Sequence, residues 1–175
     1  MPRVLGVDPG SRVTGFGVVD SDGRAHVCLE NGCVQTGGGT FPERLRSIYQ
    51  SLRTVAERHR PEVLAIERVF VHRNADSALK LGQARAAAIC AVLDAGLEIH
   101  EYAPREVKQA LVGTGAAAKE QVQHMVRALL ELEDPLAEDA ADALALALCH
   151  LHTNQALRSL GRGRGRSRSR WGAWR

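Results

Sequence analysis

The sequence VLGVDPGSRVTGFGVV, residues 4–19, places two β-branched apolar runs on either side of Asp8-Pro9-Gly10-Ser11. Proline fixes φ and glycine permits positive φ, so the pattern predicts two antiparallel strands joined by a tight turn. The run before Asp8 is almost continuously apolar, which is typical of a central strand covered on both faces. A carboxylate ending such a strand loses hydration and needs a hydrogen bond, a partner or a metal. Alternatively, Asp8 only caps the turn through its own backbone.

Local signals predict two further strands and several helices after a third antiparallel strand, Arg24 to Gln35. Thr40 and Glu43 form a capping box for a helix that ends before Pro61. A helical crossover then leads to the short apolar strand 63–67, which we expect to lie parallel to its neighbour. The remaining predicted elements are a helix from about Ala75 to Asp94, a strand from Glu98 to Tyr102, helices from Pro104 and through 122–130, and a last helix capped by Asp134-Pro135.

Length and composition predict one globular domain, because 175 residues with 45% hydrophobic content can bury a core. No apolar run approaches membrane-spanning length and no signal-peptide pattern opens the chain, so we expect a soluble cytoplasmic protein. The cysteines form no CxxC pair, and three lie in apolar segments. We therefore expect buried free thiols rather than disulfides or a zinc site: Cys28, Cys33, Cys90 and Cys149.

The net charge of +3 is concentrated at the C-terminus. Residues 158–175 contain seven arginines and no acid, whereas residues 1–157 carry a formal charge of −4. Arginine alternating with glycine or serine cannot build an apolar face, so we predict a folded domain over 1–157 and a disordered tail over 158–175. The tail also contains Trp171 and Trp174. Two uses remain open for it, a polyanion-binding arm with stacking surfaces and a solubilising extension.

The last predicted helix carries two acids on an otherwise apolar surface. Asp139 and Asp142 lie three residues apart and share a face with Ala143 and Leu146. Two close carboxylates repel, so a bound cation or a shared proton explains them. The competing explanation is that first-turn acids favour the helix dipole, which suits Glu138 and Asp139 better than Asp142.

Together the acids indicate a metal-dependent site. Asp8 and Glu67 end adjacent strands, while Asp139 and Asp142 share a helix face. This order of elements resembles the RNase H-like fold, an α/β architecture with a mixed five-stranded sheet flanked by helices. Four oxygen ligands suit Mg²⁺ or Mn²⁺, and two such ions per active site would serve phosphodiester hydrolysis.

The helix from Ala75 to Asp94 carries a stripe of small or apolar residues that another helix could approach closely. The stripe comprises Leu79, Gly82, Ala86, Ala87 and Cys90. Two interpretations stand, ordinary packing on the sheet and the seam of a symmetric homodimer. In the second, Lys80 and Arg85 could pair at the rim of the seam.

These motifs closely resemble the RuvC family of bacterial Holliday junction resolvases. The matching stretches are LGVDPGSRVTGFGVV (5–19), AIERVF (65–70), NADSALKLGQARAAAI (74–89), VKQALVG (107–113), KEQVQHMVRALL (119–130) and DAADALALA (139–147). The resemblance implies a homodimer that nicks two like-polarity strands of a four-way DNA junction symmetrically and leaves ligatable 5′-phosphates. It also implies RuvA and RuvB as branch-migration partners.

Site residues follow from the resemblance by matching position. It implies that the metal ligands are Asp8, Glu67, Asp139 and Asp142. It places Lys108 and Lys119 near junction phosphates and Phe70 at the bases of the branch point. With only three lysines beside 20 arginines in the chain, Lys108 and Lys119 also stand out independently. Phe70 follows a strand end beside Arg73 and could stack on a base, although a core position suits a phenylalanine equally.

Two other classes of protein remain open. A catalytically silent junction-binding protein would bind four-way DNA without nicking it, although the retention of all four acids counts against this reading. Actin-like ATPases also begin with a strand, an acidic glycine turn and a second strand, and Thr36-Gly37-Gly38-Gly39-Thr40 resembles their second phosphate loop. Those proteins need two such domains, and this chain has the length of one.

Overall fold

The structure is a computed structural model that describes residues 2–68 and 74–163, with side chains as far as Leu157. The elements in chain order are β1 (Val4–Asp8), β2 (Val13–Ser21), β3 (His26–Gln35), α1 (Phe41–His59), β4 (Val63–Glu67), α2 (Ala75–Leu93), β5 (Glu98–Tyr102), α3 (Pro104–Val112), α4 (Lys119–Leu129) and α5 (Glu138–Gly163). None of the helices in the described part of the chain is long and apolar enough to span a membrane.

The strands form one mixed sheet in the order β3-β2-β1-β4-β5. β2 pairs antiparallel with both β1 and β3, because short loops join these strands. β4 pairs parallel with β1 and with β5, since α1 and α2 carry the chain back to the same end of the sheet each time. The predicted α/β fold with a five-stranded mixed sheet is confirmed.

Each face of the sheet is covered by its own apolar cluster. Helices α1 and α2 cover one face, with a cluster that includes Leu5, Val7, Leu64, Ile66, Ile48, Leu52, Ala84 and Ala88. Helices α3, α4 and α5 cover the other, with a cluster that includes Val4, Val63, Ala65, Val107, Val122, Leu144 and Leu148. Because side chains alternate along a strand, Asp8 and Glu67 face the α5 side.

Helix α5 lies unusually close to the sheet because glycines face it. A Cβ at Gly6 would collide with the carbonyl oxygen of Ala143, and a Cβ at Gly15 would collide with the carbonyl oxygen of Asp139. At Gly17 it would meet the Leu144 side chain at 2.5 Å. The glycines therefore bring the first turns of α5, with their two aspartates, against β1 and β2.

The N-terminus of α1 agrees with the prediction from the sequence, whereas the N-terminus of α5 differs from it. The backbone N–H of Thr40 donates to Glu43 at 2.7 Å, so the predicted capping box is present. The prediction that Asp134-Pro135 caps α5 is wrong. The first helical hydrogen bond runs from the N–H of Ala141 to the carbonyl oxygen of Ala137 at 2.9 Å. Leu136 instead packs, before the helix begins, against the cluster on the α5 face.

The C-terminal end of α5 passes the predicted domain boundary at residue 157. Its backbone is helical to Gly163, so six residues of the predicted tail belong to this helix. Leucine and arginine at 157, 158 and 160 favour helix, and the alternation of Arg with Gly begins only at 161. Residues 164–175, with both tryptophans, lie outside the described residues.

The described cysteines are all free thiols, as expected. Cys149 is buried, and burial raises the pKa of its thiol to about 12. Cys28 and Cys33 are half-buried. Cys90 corrects the expectation of burial, because it lies exposed on α2.

Candidate active site

Two of the predicted ligands, Asp8 and Glu67, are neighbours at the carboxyl ends of two adjacent interior strands. Val7 pairs with Ile66 in the parallel ladder of β1 and β4, so the residues that follow them end adjacent strands. Both side chains point to the same face of the sheet, toward α5. The sequence-based prediction of their proximity therefore agrees with the strand register.

Asp139 and Asp142 come to the same place from the first turns of α5. The contact of the Asp139 carbonyl with Gly15 seats this end of the helix on β2, which neighbours β1. A cleft of about 240 Å³ opens where the strand ends meet α5. Its lining residues are Asp8, Glu67, Pro104, Val107, Lys108, Lys119, Val122, Asp142, Ala145 and Leu146. Asp139 lies beside this cleft and is absent from its lining.

The carboxylates repel one another inside this cleft. Burial, together with the nearby charges of Glu67, Asp142 and Asp139, raises the pKa of Asp8 to about 7. Burial and the charge of Asp142 also raise the pKa of Glu67. Such a cluster of acids strongly favours a bound cation, since a cation relieves both the repulsion and the lost hydration.

Lys119 places a positive charge directly beside these acids. Its Nζ lies 2.8 Å from Asp142 Oδ2 and 2.5 Å from Glu138 Oε1. Partial burial lowers the pKa of Lys119, but the hydrogen bonds to Asp142 and Glu138 outweigh it, so the net direction is upward. The same charge opposes, without overcoming, the rise in the pKa of both Asp8 and Glu67. The sequence marks Glu138 only as a first-turn acid beside Asp139 and does not predict its contact with Lys119.

Side chains of the four predicted ligands are gathered but not yet arranged around one ion. Among residues 2–68 and 74–163, no three Asp, Glu, His or Cys side chains form a ready metal-binding group. The ion pair with Lys119 accounts for part of this, since it engages Asp142. The donor set itself fits a divalent ion, because hard carboxylate oxygens are the ligands that Mg²⁺ and Mn²⁺ prefer.

The predicted DNA-binding residues divide into two groups. Lys108, on α3, lines the cleft together with Lys119, on α4. The two lysines thus border the acids of the cleft. Phe70 and Arg73 lie outside the described residues, so their roles remain predictions.

The predicted dimer residues lie on different sides of α2. Gly82 and Ala86 are exposed, and Lys80 is exposed with its Nζ 2.6 Å from Asp76. Arg85 instead turns toward Glu67 and Glu101. The buried face of α2 consists of other residues: Ala84, Ala88, Ala91 and Val92. Packing on the sheet therefore does not explain the exposed Leu79, Gly82, Ala86 and Cys90.

The raised pKa of Asp8 predicts how the metal-free protein responds to pH. The folded state holds the Asp8 proton up to about pH 7, whereas an unperturbed aspartate has a pKa of 3.8. Stability should therefore fall as pH rises through this window. As the pH rises from about 5 to about 8, deprotonation of Asp8 should lower the free energy of unfolding by on the order of 3 kcal/mol. Urea denaturation in EDTA should show this loss in the wild type and a smaller loss in Asp8→Asn.

The control for this experiment is Asp134→Asn, which changes an exposed loop carboxylate outside the cleft. It should retain the pH dependence of the wild type. Equal pH dependence in Asp8→Asn and the wild type would contradict the burial of an ionisable Asp8 among like charges.

A mixed sheet in this order, with acids from two parallel strand ends and one crossing helix, defines an RNase H-like nuclease. The profile of the family described as crossover junction endodeoxyribonuclease RuvC matches residues 4–150. The chain belongs to this RuvC family, whose members are crossover junction endodeoxyribonucleases.

Relatives and solved structures agree with this assignment. The crossover junction endodeoxyribonuclease RuvC of Alkalilimnicola ehrlichii is 60% identical over 152 residues, covering 87% of this chain and 92% of that protein. That of Methylococcus capsulatus is 59% identical, covering 90% and 94%. Thermus thermophilus RuvC in complex with Holliday junction substrate is 38% identical, with a TM-score of 0.84, covering 89% of this chain and 96% of that chain.

Proposed function

We propose that this protein resolves Holliday junctions by nicking two strands of like polarity at symmetric positions. The observation that carries the proposal is the single cleft where carboxylates of β1, β4 and α5 meet, bordered by Lys108 and Lys119. A similar structure, that of Thermus thermophilus RuvC, is described in complex with a Holliday junction substrate. Action on chromosomal junctions implies a cytoplasmic protein.

Asp8, Glu67, Asp139 and Asp142 would hold two Mg²⁺ or Mn²⁺ ions. Bound ions of this type activate the attacking water and stabilise the leaving oxygen in phosphodiester hydrolysis. Water adds to phosphorus, the bond to the 3′ oxygen breaks, and the products are a 5′-phosphate and a 3′-hydroxyl. The carboxylates would contribute charge and orientation, and Val107 and Val122 form an apolar part of the cleft wall.

Lys119 would serve the reaction by changing partners. With Asp142 engaged as a metal ligand, the ion pair of Lys119 with Glu138 would still hold the ammonium at the cleft. A tethered ammonium can then contact a DNA phosphate, with Lys108 on the neighbouring helix as a second contact. Glu138 thus keeps Lys119 in place after its first partner has left.

The test is a cleavage assay on a synthetic four-way junction and on a linear duplex of the same sequence, with Mg²⁺ and Mn²⁺ supplied in turn. We expect nicks in the junction alone, at paired positions that DNA ligase can seal, and no nicks in EDTA. Binding without nicking under both metals would favour the silent junction-binding protein. ATP turnover without DNA cleavage would favour the actin-like reading.

We also propose a symmetric homodimer through the exposed face of α2. Leu79 is 67% exposed and Leu93 is 52% exposed in the single chain, which is unusual for large apolar side chains on one helix. Gly82, Ala86 and Cys90 lie between them and would allow close approach of a second copy. A two-fold axis suits the near two-fold symmetry of a four-way junction, because each subunit supplies one active site. RuvA and RuvB are proposed as partners on the family resemblance alone.

Gly82→Glu should break this dimer without harming the fold. A Cβ at Gly82 meets nothing within 4 Å, and glutamate favours helix over glycine by about 0.5 kcal/mol or more. The variant should sediment as a monomer and should nick supercoiled cruciform plasmid singly, so that the plasmid relaxes, whereas the wild type linearises it. Sedimentation velocity measures the oligomeric state, and agarose gels of the same preparations measure relaxed and linear plasmid.

The matched control is Gln50→Glu, which adds the same charge at an exposed position of α1. It should remain dimeric and linearise the plasmid. A Gly82→Glu protein that is still dimeric and still linearises cruciforms would exclude this face of α2 as the seam. A wild type that is monomeric on junction DNA would exclude the homodimer altogether.

A further inference from the structure

Arg85 connects helix α2 to the strand end that carries Glu67. Its Nε donates to the Glu67 carbonyl oxygen at 3.2 Å. Its Nη2 lies 2.5 Å from Glu101 Oε1, as an ion pair that lacks the alignment of a hydrogen bond. The Arg85 side chain is only 19% exposed, although arginine usually keeps its charged group in water. One side chain therefore joins α2 to the ends of β4 and β5.

Arg85 approaches Glu67 from the face of the sheet opposite the cleft. Helix α2 packs on the face of the sheet opposite α5, whereas the Glu67 side chain points toward α5. Arg85 therefore contacts the backbone of Glu67 and leaves the carboxylate free for the cleft. The neighbouring strand offers no alternative hydrogen bond beyond Asp8, because the next residue, Pro9, has no N–H.

The ion pair with Glu101 explains how a guanidinium is accommodated there. A nearly buried charge is costly unless a partner of opposite charge neutralises it. Glu101 supplies that charge from β5, and its neighbour Tyr102 pairs directly with Glu67 in the parallel ladder. Arg68 strengthens the same junction, since its N–H donates to the Tyr102 carbonyl at 2.9 Å. The β4 end is thus held from β5 and from α2 together.

We propose that Arg85 is a positioning residue that fixes the end of β4 so that the Glu67 carboxylate meets Asp8 and Asp142 in the cleft. The inference rests on the metal-dependent site of the proposed function and adds a residue to it that touches neither metal nor DNA. Arg85 also adjoins Ala86 on the proposed dimer helix. The helix that would contact the second subunit therefore also anchors one ligand of the active site.

Three variants test this role: Arg85→Met, Arg85→Lys and Glu101→Gln. The first readout is calorimetric titration of the DNA-free protein with Mn²⁺, and the second is the cleavage rate of junction bound by excess enzyme. We expect Arg85→Met to weaken Mn²⁺ binding by about 10- to 100-fold, as other supports of metal ligands do. Junction affinity in Ca²⁺ should stay within about two-fold, because phosphate contacts dominate it.

Arg85→Lys keeps the charge opposite Glu101 but has one nitrogen in place of the fork, so it should give an intermediate loss. Glu101→Gln keeps the shape of its side chain and removes the charge, so it should weaken Mn²⁺ binding in the same direction. Should Arg85→Met fail to fold, Glu101→Gln decides the question. The control is Arg53→Met, which removes an exposed arginine 2.8 Å from Glu57 on α1 and should change neither readout.

Wild-type Mn²⁺ affinity in Arg85→Met, or in Glu101→Gln where the first variant does not fold, would overturn the positioning role. So would a loss of Mn²⁺ affinity of equal size in Arg53→Met, since it would reflect general destabilisation. A failure of the proposed function is distinct from both, because the wild type would then show no junction cleavage at all.

Discussion

Replacing Asp142 by Asn is expected to abolish nicking of a four-way junction while junction binding persists. The substitution keeps the shape of the side chain and removes the charge of a proposed metal ligand in the cleft. Loss of an essential ligand in such a site should lower the single-turnover rate by at least about 100-fold. Denaturing gels measure the nicks, and a gel shift in Ca²⁺ measures binding.

The same result is expected for Asp8→Asn, Glu67→Gln and Asp139→Asn. Asp139 is the most informative of these, because it lies beside the cleft rather than in its lining. Asp134→Asn, in the exposed loop before α5, should nick as the wild type does. Full nicking by Asp142→Asn would remove Asp142 from the metal site and leave it as the partner of Lys119.

Replacing Gly15 by Ala is expected to destabilise the protein and impair nicking together. Alanine normally stabilises a strand relative to glycine by about 0.5–1 kcal/mol, because it restricts the unfolded chain. Here its Cβ would overlap the carbonyl oxygen of Asp139, a backbone atom that cannot move without shifting α5. Overpacking of this kind costs about 1–3 kcal/mol. Urea denaturation measures the loss, and the junction assay measures the displacement of Asp139.

Gly32→Ala is the matched control, since it is also a glycine in a strand. Its Cβ would meet the Phe16 ring at 3.1 Å, and a side chain can move where a backbone carbonyl cannot. It should cost less and leave nicking intact. Equal stability and activity of Gly15→Ala and the wild type would show that α5 does not depend on this close approach.

The sequence predicts well whatever depends on neighbours along the chain. The antiparallel pairing of β1 with β2 across Asp8-Pro9-Gly10-Ser11 and the capping box at Thr40 follow from local signals, and the structure contains both. Relative strand directions follow because short connections give antiparallel pairs and helical crossovers give parallel ones. The meeting of Asp8 and Glu67 then follows from the sheet alone.

Contacts between distant elements are what the sequence does not predict. The small and apolar residues of α2 have the same spacing whether they face the sheet or solvent. The structure shows that Ala84 and Ala88 face the sheet, which turns the predicted stripe outward. The direction of Arg85 depends on where β5 places Glu101. Gly15 and Gly17 do carry a signal, since two glycines inside a strand indicate close backbone approach, but not which element approaches.

With Asp142 as a proposed metal ligand, its ion pair with Lys119 would give metal binding the character of an exchange reaction. A divalent ion bound by Asp142 would displace the Lys119 ammonium from that carboxylate. The apparent metal affinity would then be a difference between two competing equilibria, weaker than the carboxylates alone would provide. A DNA phosphate that draws the ammonium away shifts this exchange toward the metal. Substrate and metal should consequently bind with positive cooperativity, each tightening the binding of the other by the same factor.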